Sequence, residues 1–516
     1  LQGAGGDVVL MNQAIQYGPW TGGVDYSRPA VDLPPESLTS MSDTEILDSG
    51  AVTDRGGYDE HIATAITGTP SVTGCGKHRF SASASRVFAF AGTSFWEDHS
   101  GTWTDRGSAI TVTANKYWVT ANAAGTLIGC NGNGVNAAIK WTAAAGNAAA
   151  LDVDSRFTSA GTCLFWDNRA WFGNTAGGTG AEDKTFYSDS VDIETWGVND
   201  FFLTDGPVTA LKPIKTTLAI HNADGIWSIY PTGSSDTPYA RQHQSGFGAI
   251  SARGITNDLL GNQLFIREDG IYEWNGSGEP QKLRGLDGDR FWNRVDLDNL
   301  AATCHAVTDA KKNLCLFFLP LASAAGGSQA AISNAIVWDF RNRRWMGPWT
   351  FPFGSSAYFN NLVHGGGYSD GDVYKTNTGT NDNGSVISAS FRTASTAPGG
   401  IAQKNRWILA RHEFEKQNTS YEVRIQAVST ETVSKTDLLS IGDPSDALVT
   451  DFNIGVSVIR SAAIADSTTT TLLGYSNAMQ LRYDNSQADE PFTIRKTVLV
   501  YQPIGIEEKP KMGVGA

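Results

Sequence analysis

The chain has 516 residues, a formal net charge of −14 and 18% charged residues, fewer than the roughly 25% of an average soluble domain. It carries 56 glycines and 15 tryptophans but no long stretches of Glu, Lys, Leu and Arg at helical spacing, so the composition excludes a protein of long helices. No block of Lys and Arg is present, which excludes a protein that binds nucleic acid through its phosphate groups. The negative charge serves solubility or forms an acidic surface that repels DNA, and the sequence leaves both open.

The N-terminal segment, residues 1–70, predicts an extended arm. Its prolines, such as Pro34 and Pro35, fix the backbone and remove hydrogen-bond donors, which favours a loop or polyproline conformation. We expect the arm to be an assembly element that docks on a neighbouring subunit or on the rest of the chain. Three aromatic residues supply the apolar surface for this docking: Tyr17, Trp20 and Tyr26.

Residues 71–395 repeat one pattern, in which an aromatic run meets a turn and a second aromatic run follows. In one copy, Leu164-Phe165-Trp166 and Trp171-Phe172 flank Asp167-Asn168-Arg169. The turns lie near residues 92, 132, 168, 224, 269, 341 and 370, and their spacing centres near the roughly 40–50 residues of a four-stranded blade. The pattern predicts an all-β fold with a β-propeller of about seven blades, six or eight being open. A pair of β-sandwiches is the rival fold, but it does not explain the repeated unit.

Residues 396–516 have a different character. Polar and apolar residues alternate from Tyr421 to Val428, which is typical of a strand with one face in water. The pattern predicts a C-terminal β-sandwich-like domain, or an extra sheet packed on the propeller. The tail from Glu507 to Ala516 is predicted to be loose.

The sequence lacks the common signatures of catalysis and metal binding. It has no GxxxxGK[ST] or GxSxG motif, and His412-Glu413 is followed by Lys416 where a zinc protease has its second histidine. No CxxC pair is present, so neither a zinc site nor a disulfide framework is expected. We therefore expect no enzyme, no metal and no cofactor. We also expect no membrane span, because no apolar run approaches about 18 residues, and no signal peptide.

Three short motifs carry weak signals. Ser190 to Trp196 resembles the Asp-box turn of sialidase-like propellers but lacks its glycine, and we expect a structural turn there. Asp287-Gly288-Asp289 and Asp370-Gly371-Asp372 offer oxygen ligands for Ca²⁺ without the spacing of a calcium loop, so turn chemistry is the favoured use. Exposed tryptophans could stack on sugars, although most are expected to pack between blades.

Taken together, these segments resemble the β-propeller tail hub and nozzle proteins of short-tailed bacteriophages, also called DNA-stabilisation or tail accessory proteins. Within residues 20–380 the likeness lies in the N-terminal arm, in the middle of the repeats and after Gly246. The segments that carry it are Gly22-Gly23-Val24-Asp25, Leu33-Pro34-Pro35, Asp54-Arg55-Gly56-Gly57-Tyr58, Phe186-Tyr187-Ser188-Asp189, Glu194-Thr195-Trp196, Val208-Thr209-Ala210-Leu211, Gly225-Ile226-Trp227, Gly246–Ile250, Asp269-Gly270-Ile271-Tyr272 and Asn275-Gly276.

The resemblance implies a structural component of the virion tail, assembled in the host bacterial cytoplasm. It implies a homohexameric ring that contacts an adaptor and tail fibres and lets DNA pass through its channel without specific binding. The family offers no catalytic residues to carry over. The alternative function is a virion-borne or secreted β-propeller that binds or cleaves glycans. A tail protein of a long-tailed phage is a third possibility, with the same fold at a different position.

Overall fold

A computed structural model gives the structure of the chain. It describes residues 12–178, 180–190, 192–234, 237–287, 291–321, 334–415, 421–429, 433–441, 467–487 and 491–504. In these residues the fold is all-β, and the helices are short. They are the α-helix Leu297–Thr303 and the 3-10 helices Ala30–Asp32 and Trp292–Arg294. No helix in the described residues has the length and apolar character needed to cross a membrane.

The chain divides into two compact units. The larger unit contains residues 57–343 and 349–379, and the smaller unit contains residues 1–56, 344–348 and 380–516. The domain boundaries expected from the sequence, at residues 70 and 395, thus lie inside the two units and not between them. Local sequence cannot reveal this division, because strands from both ends of the chain belong to the smaller unit.

Four-stranded sheets make up most of the larger unit, and we number them in chain order. Sheet 1 has strands Val72–Arg79, Ser85–Ala91, Ser94–Asp98 and Trp103–Asp105; sheet 2 has Val119–Ala123, Thr126–Cys130, Ile139–Trp141 and Ala149–Ala150; sheet 3 has Ser159–Trp166, Arg169–Ala176, Lys184–Tyr187 and Phe201–Leu203. Sheet 4 has Val208–Ile214, Thr217–Asn222, Gly225–Pro231 and Tyr239–Ser245; sheet 5 has Ile255–Asn257, Gln263–Arg267, Gly270–Trp274 and Gln281–Lys282.

Sheets 6 and 7 complete this unit. Sheet 6 has strands His305–Asp309, Leu314–Phe318, Asn334–Asp339 and Arg344–Thr350, and the last of these is assigned in part to each unit. Sheet 7 has Phe353–Phe359, Leu362–Gly367 and Val373–Thr376, and its next strand is Tyr58–Glu60 from the N-terminal side of the chain. Glu60 pairs with Tyr374 in antiparallel register, so residues far apart in sequence close this sheet.

Hairpin chemistry explains the regular form of the sheets. In sheet 3, Trp166 pairs with Arg169 across the two-residue turn Asp167-Asn168. Both turn residues have positive φ, 51° and 57°, the conformation that a tight hairpin turn requires. Asp and Asn tolerate this conformation better than most residues, so a turn of only two residues can connect the two strands.

The sheets follow one another in a cyclic order. The first strands of successive sheets contact each other from sheet 1 through to sheet 7, and Phe353–Phe359 of sheet 7 contacts Val72–Arg79 of sheet 1. Buried aromatic side chains fill the space between sheets: Trp118 stacks on Phe90 with ring centroids 4.2 Å apart, and Trp141 meets Phe95 at 5.0 Å. This arrangement is propeller-like, and it agrees with the expectation that most tryptophans are core residues.

Two six-stranded sheets form the core of the smaller unit. One contains Gln13–Tyr17, Thr44–Ile46, Val52–Asp54, Asn405–Phe414, Ser467–Ser476 and Thr493–Pro503. The other contains Gly23–Val24, Ser37–Ser42, Ala389–Thr393, Tyr421–Ser429, Val433–Ile441 and Met479–Asn485. A short hairpin, Asn381–Asp382 with Ser385–Val386, also lies in this unit. Fully buried His412 of the first sheet lies 3.0 Å from the Tyr483 hydroxyl of the second, measured from Nδ1 to Oη, so the sheets share a core.

The N-terminal segment differs from the predicted extended arm. Gln13–Tyr17 pairs with Thr493–Pro503, and Ser37–Ser42 pairs with Ala389–Thr393. The segment does contain proline-rich connections, but its short strands obtain their hydrogen bonds from C-terminal strands. Pairing over such a distance leaves no local sequence signal.

Candidate functional site

A cavity of about 490 Å³ lies in the larger unit, where the first strands of the central sheets begin. Val119, Gly161 and Thr209 line it from the starts of the first strands of sheets 2, 3 and 4. Because these strands contact one another around the cyclic series, we call this space the axial cavity. Its volume lies in the roughly 300–1,000 Å³ range of small-molecule sites. Connecting segments, the second strand of sheet 3 and the helix Leu297–Thr303 supply the remaining walls: Asn115, Lys116, Tyr117, Asn131, Gly132, Val135, Asn174, Ile250, Ser251, Ala252, Arg253, Ala301, Ala302 and Thr303.

Asn131 is the most deeply buried amide in the cavity wall, with 6% of its surface exposed. Its Nδ2 donates to Asn136 Oδ1 at 2.7 Å, and the same oxygen accepts the backbone N–H of Thr113 at 3.0 Å. Asn131 Oδ1 has no hydrogen-bond partner in the protein. This oxygen has less than 1 Å² of accessible surface, so it is a buried acceptor without a partner, which costs about 1–3 kcal/mol.

Arg253 and Tyr117 form a rigid side of the cavity. The Arg253 guanidinium carbon lies 3.7 Å from the centroid of the Tyr117 ring. Nη1 donates to the carbonyl of Gly354 at 3.1 Å, and Nη2 donates to the carbonyls of Ala302 and Thr303 at 3.0 and 2.8 Å. Burial of the guanidinium lowers the pKa of Arg253 to about 10. The arginine therefore stays cationic at neutral pH and ties the start of sheet 6 to the start of sheet 7.

The ionisable groups of the cavity wall are basic or phenolic. Lys116, Tyr117 and Arg253 line it, and no Asp or Glu is among the described lining residues. Hydrolysis of a glycosidic bond ordinarily uses two carboxyl groups placed on either side of the bond. This wall can donate and accept hydrogen bonds, but it does not present that pair.

The aromatic residues predicted to dock the N-terminal arm are buried within the smaller unit. The Tyr17 hydroxyl donates to Thr396 Oγ1 and to the carbonyl of Met479, and Trp20 meets the Phe391 ring edge-on at 5.4 Å. The Tyr26 hydroxyl donates to the carbonyl of Gly347 at 2.9 Å. All three therefore stabilise their own chain. Their predicted role in assembly stays a prediction, and it would need another surface of the arm.

The Asp-box-like segment forms a hydrogen-bonded turn over residues 192–196; Val191 lies outside the described residues. Asp192 Oδ1 accepts the backbone N–H of Glu194 at 2.9 Å, and Oδ2 accepts the Thr195 hydroxyl at 3.0 Å. The bond from the Glu194 N–H is the main reason why the pKa of Asp192 is lowered. Trp196 packs on Phe157 with ring centroids 5.7 Å apart. These contacts are those of a structural turn.

The structure describes only the second of the two Asp-Gly-Asp motifs in full. Gly288 and Asp289 lie outside the described residues, so the first motif stays a prediction. In the second, Asp370 Oδ1 accepts the backbone N–H of Asp372 at 3.1 Å, and Oδ2 accepts the Tyr374 hydroxyl at 2.9 Å. Burial, followed by the charge of Asp370, raises the pKa of Asp372 to about 6. The motif has the turn chemistry that the sequence favoured.

The cysteines and histidines do not assemble a metal centre within the described residues. All five cysteines are free and buried: Cys75, Cys130, Cys163, Cys304 and Cys315. In the described part of the chain, no group of three or more His, Cys, Asp and Glu side chains is placed to hold a metal ion. Burial lowers the pKa of His412 to about 3, so this histidine is a neutral core residue.

The sequence pattern did not point to the axial cavity. Asn131-Gly132-Asn133-Gly134 is recognisable as a turn, but nothing local indicates that its first amide meets Arg253 and Thr209 in one wall. Asn131 lies in a connection within sheet 2, Arg253 lies in the connection between sheets 4 and 5, and Thr209 lies in the first strand of sheet 4. Only the cyclic order of the sheets brings them into one cavity wall.

Comparisons with known proteins give no family. No protein-family model matches the chain, and no curated protein matches it. Among solved structures, the chain is similar to the computationally designed Ika8 protein, with 16% identity, a TM-score of 0.37 and coverage of 62% of this chain and 99% of that one. It is similar to the WD40 β-propeller domain of Doa1, with 12% identity, a TM-score of 0.38 and coverage of 62% and 96%. An exo-β-1,3-galactanase from Phanerochaete chrysosporium has 8% identity, a TM-score of 0.28 and coverage of 87% and 100%.

Proposed function

We propose that this protein is a structural component of a bacteriophage tail, of the hub or nozzle type. The observation that carries the proposal is the position of the Arg55-Gly56-Gly57-Tyr58 motif, which contributes to the resemblance to short-tailed phage proteins. In the smaller unit, Arg55 is buried between Asp43 and Asp382. In the larger unit, Tyr58 packs edge-on against Tyr374 with ring centroids 5.0 Å apart. The motif thus supplies an anchoring residue to each unit, which supports a structural role for the matched segment.

We also propose a blade number for the larger unit and a domain type for the smaller unit. We assign one propeller blade to each of sheets 1–7, which gives seven blades with Tyr58–Glu60 completing the last one. The cyclic contacts between first strands support this assignment. We assign the two sheets of the smaller unit to a β-sandwich-like domain, and the core that His412 and Tyr483 share supports it.

The assembled form is a homohexameric ring in the virion tail, formed in the cytoplasm of the host bacterium. Head-to-tail contacts between identical subunits close such a ring around a rotation axis. Its partners are copies of itself, an adaptor and tail fibres, while DNA passes through the channel without specific binding. The net charge of −14 per chain supports this last point, because an acidic wall repels phosphate.

Imaging of the purified full-length chain by electron microscopy tests the proposal. We expect closed rings of about six subunits around a channel at least ~20 Å wide, since a DNA duplex must pass and its major groove alone is about 12 Å across. The channel must lie between subunits, because the first strands of the sheets crowd the axis of each propeller. A protein that remains monomeric with its expected tail partners present would refute the tail assignment.

A glycan-binding propeller is the second candidate, and the axial cavity is the observation that favours it. The cavity lies where the first strands converge and combines three amides with hydroxyl groups and one aromatic ring. Its wall supports binding more than cleavage, because the described lining residues do not include a carboxylate pair. Binding to an immobilised glycan array tests this candidate separately from ring formation.

A further inference from the structure

Arg253 of the axial cavity is a cation without a carboxylate partner in the described residues. Its side-chain hydrogen bonds go to three backbone carbonyls. The ionisable groups whose charge acts on it are the phenol of Tyr117 and the thiol of Cys304, and burial raises the pKa of that thiol to about 11. A charge shielded from water is stable when it is paired, and neutral carbonyls supply only partial negative charge. The guanidinium therefore lacks a full counter-charge.

Two neighbouring hydrogen-bond donors of the cavity wall remain open to a ligand. Arginine has five N–H groups, and the carbonyls bind only those of Arg253 Nη1 and Nη2, so Nε has no partner in the described residues. The Tyr117 hydroxyl has no partner in these residues either. Neither atom is among the buried atoms that lack a hydrogen bond, so both keep accessible surface, unlike Asn131 Oδ1. The guanidinium lies over the Tyr117 ring, and both residues line the cavity.

Lys116 adds a second positive charge to the same wall. It is exposed, and it lines the cavity next to Tyr117 in sequence. The described lining residues thus carry two positive charges and no carboxylate, although the whole chain has a net charge of −14. A cleft lined by charges of one sign attracts ligands of the opposite sign and repels those of the same sign. This local charge selects an anion over a cation or a neutral molecule.

We propose that the axial cavity binds a small organic anion through a carboxylate or phosphate group. Arg253 Nε and the Tyr117 hydroxyl donate to oxygens of this group, and Lys116 strengthens the binding through its charge. The volume of about 490 Å³ leaves room for the rest of a molecule as large as one sugar ring. The inference concerns the charge of the ligand, so it depends neither on the tail assignment nor on the binding of a glycan.

Three ligands that share one ring test the role of charge: glucuronate, glucose 6-phosphate and neutral glucose. Saturation-transfer NMR with the full-length chain measures their binding. We expect at least one of the two acids to bind about tenfold or more tightly than glucose, and the acid that binds identifies the group as carboxylate or phosphate. Salt at about 1 M, which shortens the Debye length to about 3 Å, should weaken the binding of the acid. Equal binding of all three ligands, or no binding of either acid at about 10 mM, would overturn the proposal.

Substitutions locate the binding in the axial cavity. Lys116→Gln removes one positive charge at an exposed position, so the fold should be kept, and the affinity for the acid should fall about two- to fivefold. Lys311→Gln makes the same change at an exposed turn position of sheet 6, outside the described lining, and should leave the affinity unchanged.

Arg253→Gln removes the guanidinium, and a folded variant should lose about tenfold or more in affinity for the acid. Should this substitution prevent folding, the lysine pair and the three ligands still decide the question. Unchanged affinity in Lys116→Gln, or an equal loss in Lys311→Gln, would place the binding outside the cavity and overturn the proposal.

Discussion

The guanidinium of Arg55 binds the carboxylate of Asp382 through two parallel hydrogen bonds, from Nη1 to Oδ1 at 2.8 Å and from Nη2 to Oδ2 at 2.5 Å. Arg55 Nε donates to Asp43 Oδ1 at 2.6 Å, and the arginine side chain is 1% exposed. Two-point binding of a carboxylate requires the planar fork of arginine, which lysine does not provide. This buried network connects the N-terminal segment to the short hairpin at residues 381–386 within the smaller unit.

Replacement of Arg55 tests that network. We expect Arg55→Ala to lower the free energy of unfolding of the smaller unit by about 3–5 kcal/mol, because the carboxylates of Asp43 and Asp382 would both lose the buried guanidinium. Arg55→Lys should recover part of the loss. Denaturant unfolding followed by tryptophan fluorescence measures both variants. Arg28→Ala, which removes an exposed arginine paired with Asp25, is the control and should change the stability by less than about 1 kcal/mol.

Substitution of Trp20 separates internal packing from assembly. Trp20→Ala should cost about 3–5 kcal/mol in unfolding free energy even in a monomeric preparation, because the indole is fully buried against Phe391. Tyr475→Ala, at a position 60% exposed in the same unit, is the matched control and should be nearly neutral. If Trp20→Ala left the monomer as stable as the wild type and weakened oligomerisation alone, the burial of Trp20 in its own chain would be contradicted.

The Asp372 carboxyl makes stability depend on pH in a defined direction. Its pKa is about 6 in the folded chain against an ordinary value of 3.8, so the folded state binds the proton more tightly than the unfolded state. This group favours folding most below about pH 4, and its contribution is lost as the pH rises towards and through 6. Asp372→Asn should therefore be more stable than the wild type at pH 8, by about 1 kcal/mol after allowance for solvent screening, and equal to it near pH 4.

Thermal unfolding at several pH values checks this prediction. The melting temperature of Asp372→Asn should exceed that of the wild type above pH 6, and the difference should shrink as the pH falls to 4. Asp224→Asn, at an exposed turn position, serves as the matched control for the Asp-to-Asn change. A variant that is less stable than the wild type at pH 8 would show that the Asp372 charge has a favourable partner.

Metal removal should leave the fold intact. We expect the same melting temperature with and without a chelator such as EDTA, because no set of metal ligands is brought together in the described part of the chain. Differential scanning fluorimetry after dialysis measures this. A loss of several degrees that added Ca²⁺ restores would point to ligands among the residues around Asp287, part of which lie outside the described ranges.

Local chemistry explains which parts of the fold were predictable. The hairpin at Asp167-Asn168 follows from residues that tolerate positive φ between two aromatic runs, and the structure has it. The all-β class and the four-stranded sheets rest on many such signals. The pairing of Glu60 with Tyr374 could not be predicted, because strand complementarity between distant residues leaves no periodic pattern. For the same reason, the blade number, which depends on that closure, stays a prediction.

The candidate site was less predictable than the fold. Asn131 resembles an ordinary turn residue, and Arg253 lies in a segment without a recognisable motif. Their roles come from the convergence of loops at the start of the first strands. The aromatic residues of the arm were conspicuous in sequence, but composition alone could not distinguish a side chain packed within its own chain from one that packs on a neighbouring subunit.

The pairing of Tyr58–Glu60 with Val373–Thr376 also constrains how the protein is made. A ribosome releases Tyr58–Glu60 early, yet the partner strand leaves the exit tunnel only after all of sheets 1–6 have been translated. During that interval the early strand has an unpaired edge, and strands in this condition are prone to aggregate or to pair with other chains. Closure of the sheet must therefore follow translation of residue 376, so a nascent chain truncated before that point cannot complete the larger unit.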